Sequence, residues 1–447
     1  MSQSDHKELL YLGNHGGQPV GLDAAARARH LYIIGQTGTG KSTLLLNLIA
    51  QDLASGNGCA LLDPHGDIAT AAVTLLPTWR ADDLLAASAV TLLPTWRSDD
   101  LVYFDPASLA RSIGFNLLAQ LPEDDRPLVV ENVVAAFHAI WPDFWGPRLE
   151  HIFSHALRLL MDVPGGTLLC LPRLLQDQGY RSQCLRHLTD PVVRAFWMHE
   201  YEAYPPRFRE EAIAPVLNKI GRVLMTPAIR NCLAQPTNSI DLRFMMDDRR
   251  VLIANLSKGA LGEGPAHLLG ALLITALAQA ALSRRDTPEK ERVPFHLYVD
   301  EFQNFATNGF SLILSEARKY GLTLTLAHQY LDQLPDRLRD AVFGNVGSMV
   351  AFRVGAKDAP EVARQLDLKN AAAFKELANY RARVSLLQNG MPSEAMQVET
   401  LGPPAPLHAR ADRMTAHSQL RFGRPREAVE QKIRDFYDFH ELYSDPS

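Results

Sequence analysis

A chain of 447 residues with 47% hydrophobic and 21% charged content is too long for one small module and has ample material for a buried core, which excludes a disordered polypeptide. Its 45 Lys and Arg against 50 Asp and Glu give a formal charge of -5, which excludes whole-molecule attraction to nucleic acid or an anionic membrane; any polyanion must be gripped locally. Cys59, Cys170, Cys184 and Cys232 lack C-x-x-C spacing, arguing against a disulfide framework or a cysteine zinc site and for a reducing cytoplasm.

The opening MSQSDHKELL has neither the basic nor the apolar region of a signal peptide, and residues 1–30 read as a polar lead segment. HLYIIG (30–35) is an apolar run of strand length, followed by a helical pattern over 41–55 that Gly56, Asn57 and Gly58 stop, then by CALL (59–62) ending at Asp63. This is a β-α-β unit. Residues 72–84 recur as 89–101 with twelve of thirteen positions matching, and a single duplication at an exposed connection needs no function. Residues 121–235 are rich in helix formers and aromatics, without a strand run, and are expected to form a helical insertion.

The strand-helix rhythm returns with VLIANLS (251–257), FHLYVD (295–300), a helix across 310–320 and LTLTLAHQ (322–329), which predicts a mostly parallel sheet. The apolar stretch 267–282 is shorter than the roughly 20 residues a membrane span needs and reads as a buried core helix, so no membrane insertion is expected. RVSLLQ (383–388) and EAMQVET (394–400), joined by Asn389-Gly390, predict a hairpin at the sheet edge. GPPAP (402–406) marks a linker, and 425–440 an amphipathic terminal helix. The α/β core is thus divided into 31–120 and 236–400, with the helical insertion 121–235 between them and 401–447 as a C-terminal linker and helix.

Gly35-Gln36-Thr37-Gly38-Thr39-Gly40-Lys41-Ser42-Thr43 satisfies G-x-x-x-x-G-K-[ST] between a strand and a helix, where the phosphate-binding mechanism requires it. The glycines let successive N–H groups face a phosphate, Lys41 supplies charge to the β and γ phosphates, and Ser42 offers a hydroxyl to Mg2+. A carboxylate at the end of a second apolar strand would complete the Mg2+ shell. Asp300 is that residue, and the adjacent Glu301 would polarise the attacking water. Gln329 ends the next strand, either as a γ-phosphate sensor or as a polar end satisfied by a turn. Arg318 is either an arginine finger for a neighbour's site or a helix-face partner of Glu316 or nearby carboxylates. Asp63-Pro64-His65-Gly66-Asp67 is equally a turn or a site element. His151 and His155 lack the glutamate of H-E-x-x-H, so no zinc is expected.

The ordered set GQTGTGKST, LLDPHGD, YVDEFQNF, SEARKYGLTLTLAHQ and NVGSMVAFRVGAKDA resembles the VirD4/TraG/TraD coupling proteins and the wider HerA-FtsK class, over roughly 30–120 and 235–400. The resemblance implies a RecA-like P-loop NTPase binding ATP and Mg2+ between subunits of a ring, usually a hexamer. Lys41 and Ser42 would then lie on nucleotide and metal, Asp300 and Glu301 form the acidic motif, Gln329 the strand-end sensor, and Arg318 a trans-acting arginine. It implies a cytoplasmic DNA translocase of the conjugation and type IV secretion kind, its insertion meeting DNA or cargo, with secretion or DNA-processing proteins as partners. Residues 181–230 carry eight Lys and Arg against five Asp and Glu, a mild basic excess. The family's membrane-anchored members have transmembrane helices ahead of the core, where this chain has about 30 polar residues. An ATPase acting on protein cargo is the competing expectation, and a nucleotide-binding structural component a weaker one.

Overall fold

The computed structural model describes residues 9–76, 100–119, 121–307, 310–388, 390–407 and 411–438. Most of the 72–84/89–101 duplication lies outside them. In chain order the strands are β1 (Leu10–His15), β2 (Gln18–Leu22), β3 (Leu31–Ile34), β4 (Gly58–Asp63), β5 (Leu101–Phe104), β6 (Arg111–Ile113), β7 (Val251–Asn255), β8 (Phe295–Val299), β9 (Leu322–His328), β10 (Ser348–Ala351), β11 (Arg381–Ser385), β12 (Leu387–Gln388), β13 (Met391–Pro392), β14 (Met396–Thr400) and β15 (Gly423–Pro425). Eleven of them form one sheet in the order β2-β1-β14-β11-β10-β3-β9-β8-β4-β7-β5.

The centre of this sheet is parallel: β3 pairs with β10 and β9, β8 with β9 and β4, and β4 with β7. Strands β3, β4, β8 and β9 are buried at every residue, as a parallel sheet covered on both faces demands. Parallel order brings the ends of β3, β4, β8 and β9 to one edge of the sheet, where a doubly wound fold places its ligand.

Helix α1 (Ala24–Arg27) precedes β3; α2 (Lys41–Ser55) follows the phosphate loop, and α3 (Asp67–Val73) follows β4. Leu44, Leu45, Leu48, Ile49 and Leu53 turn one face of α2 into the core, each contributing roughly 1.5–3 kcal/mol by burial. On the same helix Asp52, 1% exposed, accepts from Arg27 Nη1 at 2.7 Å and from the Tyr298 hydroxyl at 2.6 Å, while Arg27 Nη2 donates to Tyr298 at 2.9 Å. This polar knot ties α1, α2 and β8 together beneath the loop.

The chain divides into two compact units: residues 1–103, 242–255 and 280–416 form one, and 104–241, 256–279 and 417–447 the other. In the second unit the helices Arg126–Ile140, Pro147–Asp162 and Pro206–Met225 carry much of the core, with the Phe137 and Phe153 rings 5.0 Å apart. The C-terminal segment belongs to this unit: β15 pairs with β6, Asn231 Nδ2 donates to Glu430 Oε1 at 3.1 Å, and Val429 and Ile433 of the helix Arg426–Asp438 are buried.

One expectation is corrected, and two elements are added. In the lead segment β1 and β2 form a hairpin whose two-residue turn, Gly16-Gly17, takes φ of 56° and 80°, a left-handed pair that favours glycine. The β11–β14 hairpin is interior to the sheet, because β1 pairs with β14 and the edge passes to β2; at Gly13 a Cβ would stand 2.2 Å from the Glu399 carbonyl oxygen. A further helix, Ala411–Phe422, follows the proline-rich segment. The expected core helix is present as Glu263–Leu282; the stretch Glu263–Asp286 is long and apolar enough to cross a membrane, and 72% of its most apolar window is buried in protein.

Candidate functional site

The loop after β3 wraps the start of α2. Gly38 and Gly40 take φ of 76° and 122°, and a Cβ on Gly35 would stand 2.6 Å from the Phe352 Cβ, so the loop's path requires glycine at these points. Thr39 is buried and donates to the Gln36 carbonyl at 2.7 Å, holding the loop's curl, whereas Gln36, Thr37, Gly38 and Ser42 face solvent. Lys41 is 5% exposed, and its Nζ donates to the carbonyls of Gly35 at 2.6 Å and Gln36 at 3.2 Å. Burial pulls the Lys41 ammonium below its ordinary pKa, against the opposing charges of Glu301 and Asp300.

Asp300 and Glu301 leave the end of β8, both buried. Burial first, then the charges of Glu301 and Asp63, push the Asp300 carboxyl up to about 7, with Lys41 working the other way. Its Oδ1 is buried without a hydrogen-bond partner. A buried carboxyl oxygen without a partner, beside the acids Glu301 and Asp63, fits a divalent cation. Among the described residues no group of three or more His, Cys, Asp or Glu side chains could hold a metal, so Mg2+ would draw most of its shell from phosphate, Ser42 and water.

Glu301 sits at φ 45°, ψ 53°, a left-handed backbone unusual for a non-glycine residue. Its carboxylate accepts from Gln329 Nε2 at 2.6 Å and from Gln303 Nε2 at 2.8 Å, while Asn304 Nδ2 donates to its carbonyl at 2.8 Å. Gln329 Oε1 in turn accepts from the Thr37 hydroxyl at 3.1 Å. Because β9 lies between β3 and β8, Gln329 spans from the phosphate loop to the acidic pair. The sequence leaves Gln329 open between a sensor and a polar end satisfied by a turn; in the structure its side chain bonds the Thr37 hydroxyl and the Glu301 carboxylate.

Beneath Gln329, His328 is fully buried between Tyr32 and Phe302, with its Nδ1 2.9 Å from the Tyr32 hydroxyl. Burial and the charge of Lys41 lower its pKa to about 3, so it stays neutral. This residue went unnoticed in the sequence because one histidine in an apolar strand carries no motif. Asp63 is spent locally: its carboxylate accepts from the N–H groups of His65 at 2.8 Å and Ala69 at 2.9 Å, closing a turn and the start of α3.

Arg318 stands apart from the rest. It precedes β9 in the short helix Ala317–Tyr320, so the seven residues of that strand put it at the opposite end of the sheet from Gln329, roughly 20 Å away. It is exposed, and Glu316, the intrahelix partner weighed from sequence, pairs with Lys319 at 2.7 Å. Arg318 therefore cannot serve the site of its own chain.

A phosphate loop at the end of β3, a buried acid at the end of β8 and a polar bridge on β9 between them, on a parallel sheet, define a RecA-like P-loop core. Residues 10–112 match the family model described as the central domain of helicase HerA, and residues 294–366 match that of the TraM recognition site of TraD and TraG. Among solved structures, unbound conjugative coupling protein TrwBdeltaN70 is similar at 16% identity and TM-score 0.59, covering 88% of this chain and 90% of that one. TrwB in complex with ADP and Mg2+ is similar at 16% identity and TM-score 0.58, over 89% and 91%. VirB4 of Thermoanaerobacter pseudethanolicus is similar at 11% identity and TM-score 0.52, over 88% and 96%. At such identities these structures carry the fold. No curated protein sequence matches the chain. Over these two segments the chain is similar to HerA and to TraD and TraG, and over most of its length it shares the fold of TrwB.

Proposed function

We propose that this chain is a ring-forming motor, a hexamer in its active state, that hydrolyses ATP with Mg2+ at subunit interfaces and moves DNA in the cytoplasm in the setting of conjugation or type IV secretion. The observation that carries this reading is the Thr37–Gln329–Glu301 chain of hydrogen bonds, which links the loop meant for phosphate to the acid meant for water. In this assignment Gly35 to Thr43 hold the triphosphate, Ser42 and Asp300 hold Mg2+, Glu301 orients the attacking water, and Gln329 reports the γ-phosphate to the strand end. Such switching needs a side chain bonded to both elements, which Gln329 is. The inserted segment 121–235 meets DNA or cargo.

The test is steady-state ATPase of the purified chain with single- and double-stranded DNA over a salt series. Stimulation that fades as salt rises is expected, since phosphate contacts release counterions. Hydrolysis indifferent to DNA would remove the DNA motor and favour a protein-directed ATPase. That second reading has its own support: residues 294–366 match a model named for recognition of a protein, TraM.

Arg318 is assigned to a neighbour's active site because its own is out of reach. Arg318→Ala should cut turnover by about 10³-fold or more. Lys41→Ala subunits have a disabled phosphate loop but an intact Arg318, and should regain activity when mixed with Arg318→Ala subunits. No recovery in mixtures that demonstrably co-assemble would end the trans assignment.

A further inference from the structure

The phosphate loop has a second flank, away from Glu301 and Gln329, that the phosphate chemistry leaves unused. It is built by the start of β11 and the end of β14. The Tyr380 N–H donates to the Thr39 carbonyl at 2.9 Å, and the Tyr380 carbonyl accepts from the Thr400 N–H at 2.7 Å and the Thr400 hydroxyl at 3.1 Å. These bonds hold Tyr380 at φ 64°, a left-handed conformation that strains a tyrosine. Its ring is not spent on the core: it is 37% exposed and lies against the loop's last glycine, with Cδ1 3.2 Å from where a Gly40 Cβ would stand. Beyond Thr400, Leu401 is also exposed, and the Gly402 carbonyl accepts from Asn47 Nδ2 at 2.9 Å, which lays this segment along the second turn of α2.

The sheet order gives the direction. Glu301 and Gln329, on the β8 and β9 side of β3, mark the γ-phosphate end of a nucleotide in the loop. The remainder of the nucleotide then leaves toward the opposite flank, past β10 to β11, where Tyr380 stands. We propose that Tyr380 is the platform on which the nucleotide base stacks. The inference rests on the nucleotide reading given above and names the part of the ligand that reading leaves unheld. A tyrosine ring offers a flat π face at small conformational cost and takes any nucleobase, so it supplies affinity without distinguishing adenine from guanine. The strain at Tyr380 is otherwise unexplained, since a glycine would close the same turn without it.

Calorimetric titration with MgADP, MgGDP and magnesium tripolyphosphate tests the proposal. In Tyr380→Gly, affinity for both nucleotides should fall about 10- to 100-fold, while tripolyphosphate affinity is unchanged and the melting temperature is equal or higher because the left-handed strain is relieved. Tyr380→Phe keeps the π face and should bind nucleotide within about threefold of the parent. Unchanged nucleotide affinity in Tyr380→Gly overturns the platform, as does an equal loss for tripolyphosphate, which would make Tyr380 a loop support. A parent chain that binds neither nucleotide nor tripolyphosphate would overturn the phosphate-loop reading itself, and the platform with it.

Discussion

Glu301→Gln should hydrolyse ATP about 10²- to 10⁴-fold more slowly than the parent, while binding nucleotide within a few-fold of it. In the proposed assignment Asp300 is given to Mg2+ and the Glu301 carboxylate accepts a proton from water aligned with the γ-phosphate, which an amide of the same shape cannot do. Its surroundings sharpen the effect. Glu301 accepts from two amides, Gln329 Nε2 and Gln303 Nε2, and a glutamine side chain has only one accepting oxygen. The donors reach different carboxylate oxygens, so a glutamine there sets an NH2 against one of them, and Gln303 or Gln329 must turn or lose its bond as the base is removed. Single-turnover hydrolysis and nucleotide binding, measured on the same preparation, check this. Retention of more than about a tenth of the parent rate would transfer the role of base to another group.

Asp52→Ala should destabilise the first unit by about 3–5 kcal/mol in urea unfolding, because it strands the Arg27 guanidinium without its counter-charge in the interior. Burial alone would raise the Asp52 carboxyl; the charges of His296 and Arg27 and the hydrogen bonds from Arg27 and Tyr298 outweigh it and hold the group below its ordinary value. His296 is itself lowered to about 4 by burial, hence neutral near pH 7, and Arg27 carries the interaction there. The folded pKa lies below the unfolded one. This stabilisation is therefore complete above the ordinary carboxylate range and is lost as pH falls through the folded value, so the gap between parent and Asp52→Ala should narrow in acid. A loss under about 1 kcal/mol at pH 7 would mean that water or Tyr298 compensates the arginine. Replacing Arg27 and Asp52 together by leucine should cost less than Asp52→Ala, since no unpaired charge remains.

The phosphate loop and the acidic pair were legible in the sequence because each is local. Gly35 to Thr43 encode their backbone path and their charge in consecutive residues, and an apolar run ending in Asp300-Glu301 announces a strand and its tip. The α/β class was equally legible from apolar runs alternating with helical periods. The β1–β2 hairpin was missed because its strands are short and glycine-interrupted, although the Gly16-Gly17 turn was a readable signal. The edge hairpin was misplaced for a different reason. Pairing between β11 and β14 is a near-neighbour contact, but which strand then covers β14 depends on β1, nearly 390 residues earlier.

The sequence by itself determined what the site contains: a loop of N–H groups and a lysine for phosphate, and two carboxylates at a strand end. Only the tertiary structure decided how these act on one another. The order β3-β9-β8 sets Gln329 between loop and acid, burial raises Asp300 to about 7, and seven residues of β9 carry Arg318 to the far end of the sheet. Residue types fix local chemistry, whereas strand order and burial, which set distance and dielectric, arise from pairings between segments hundreds of residues apart.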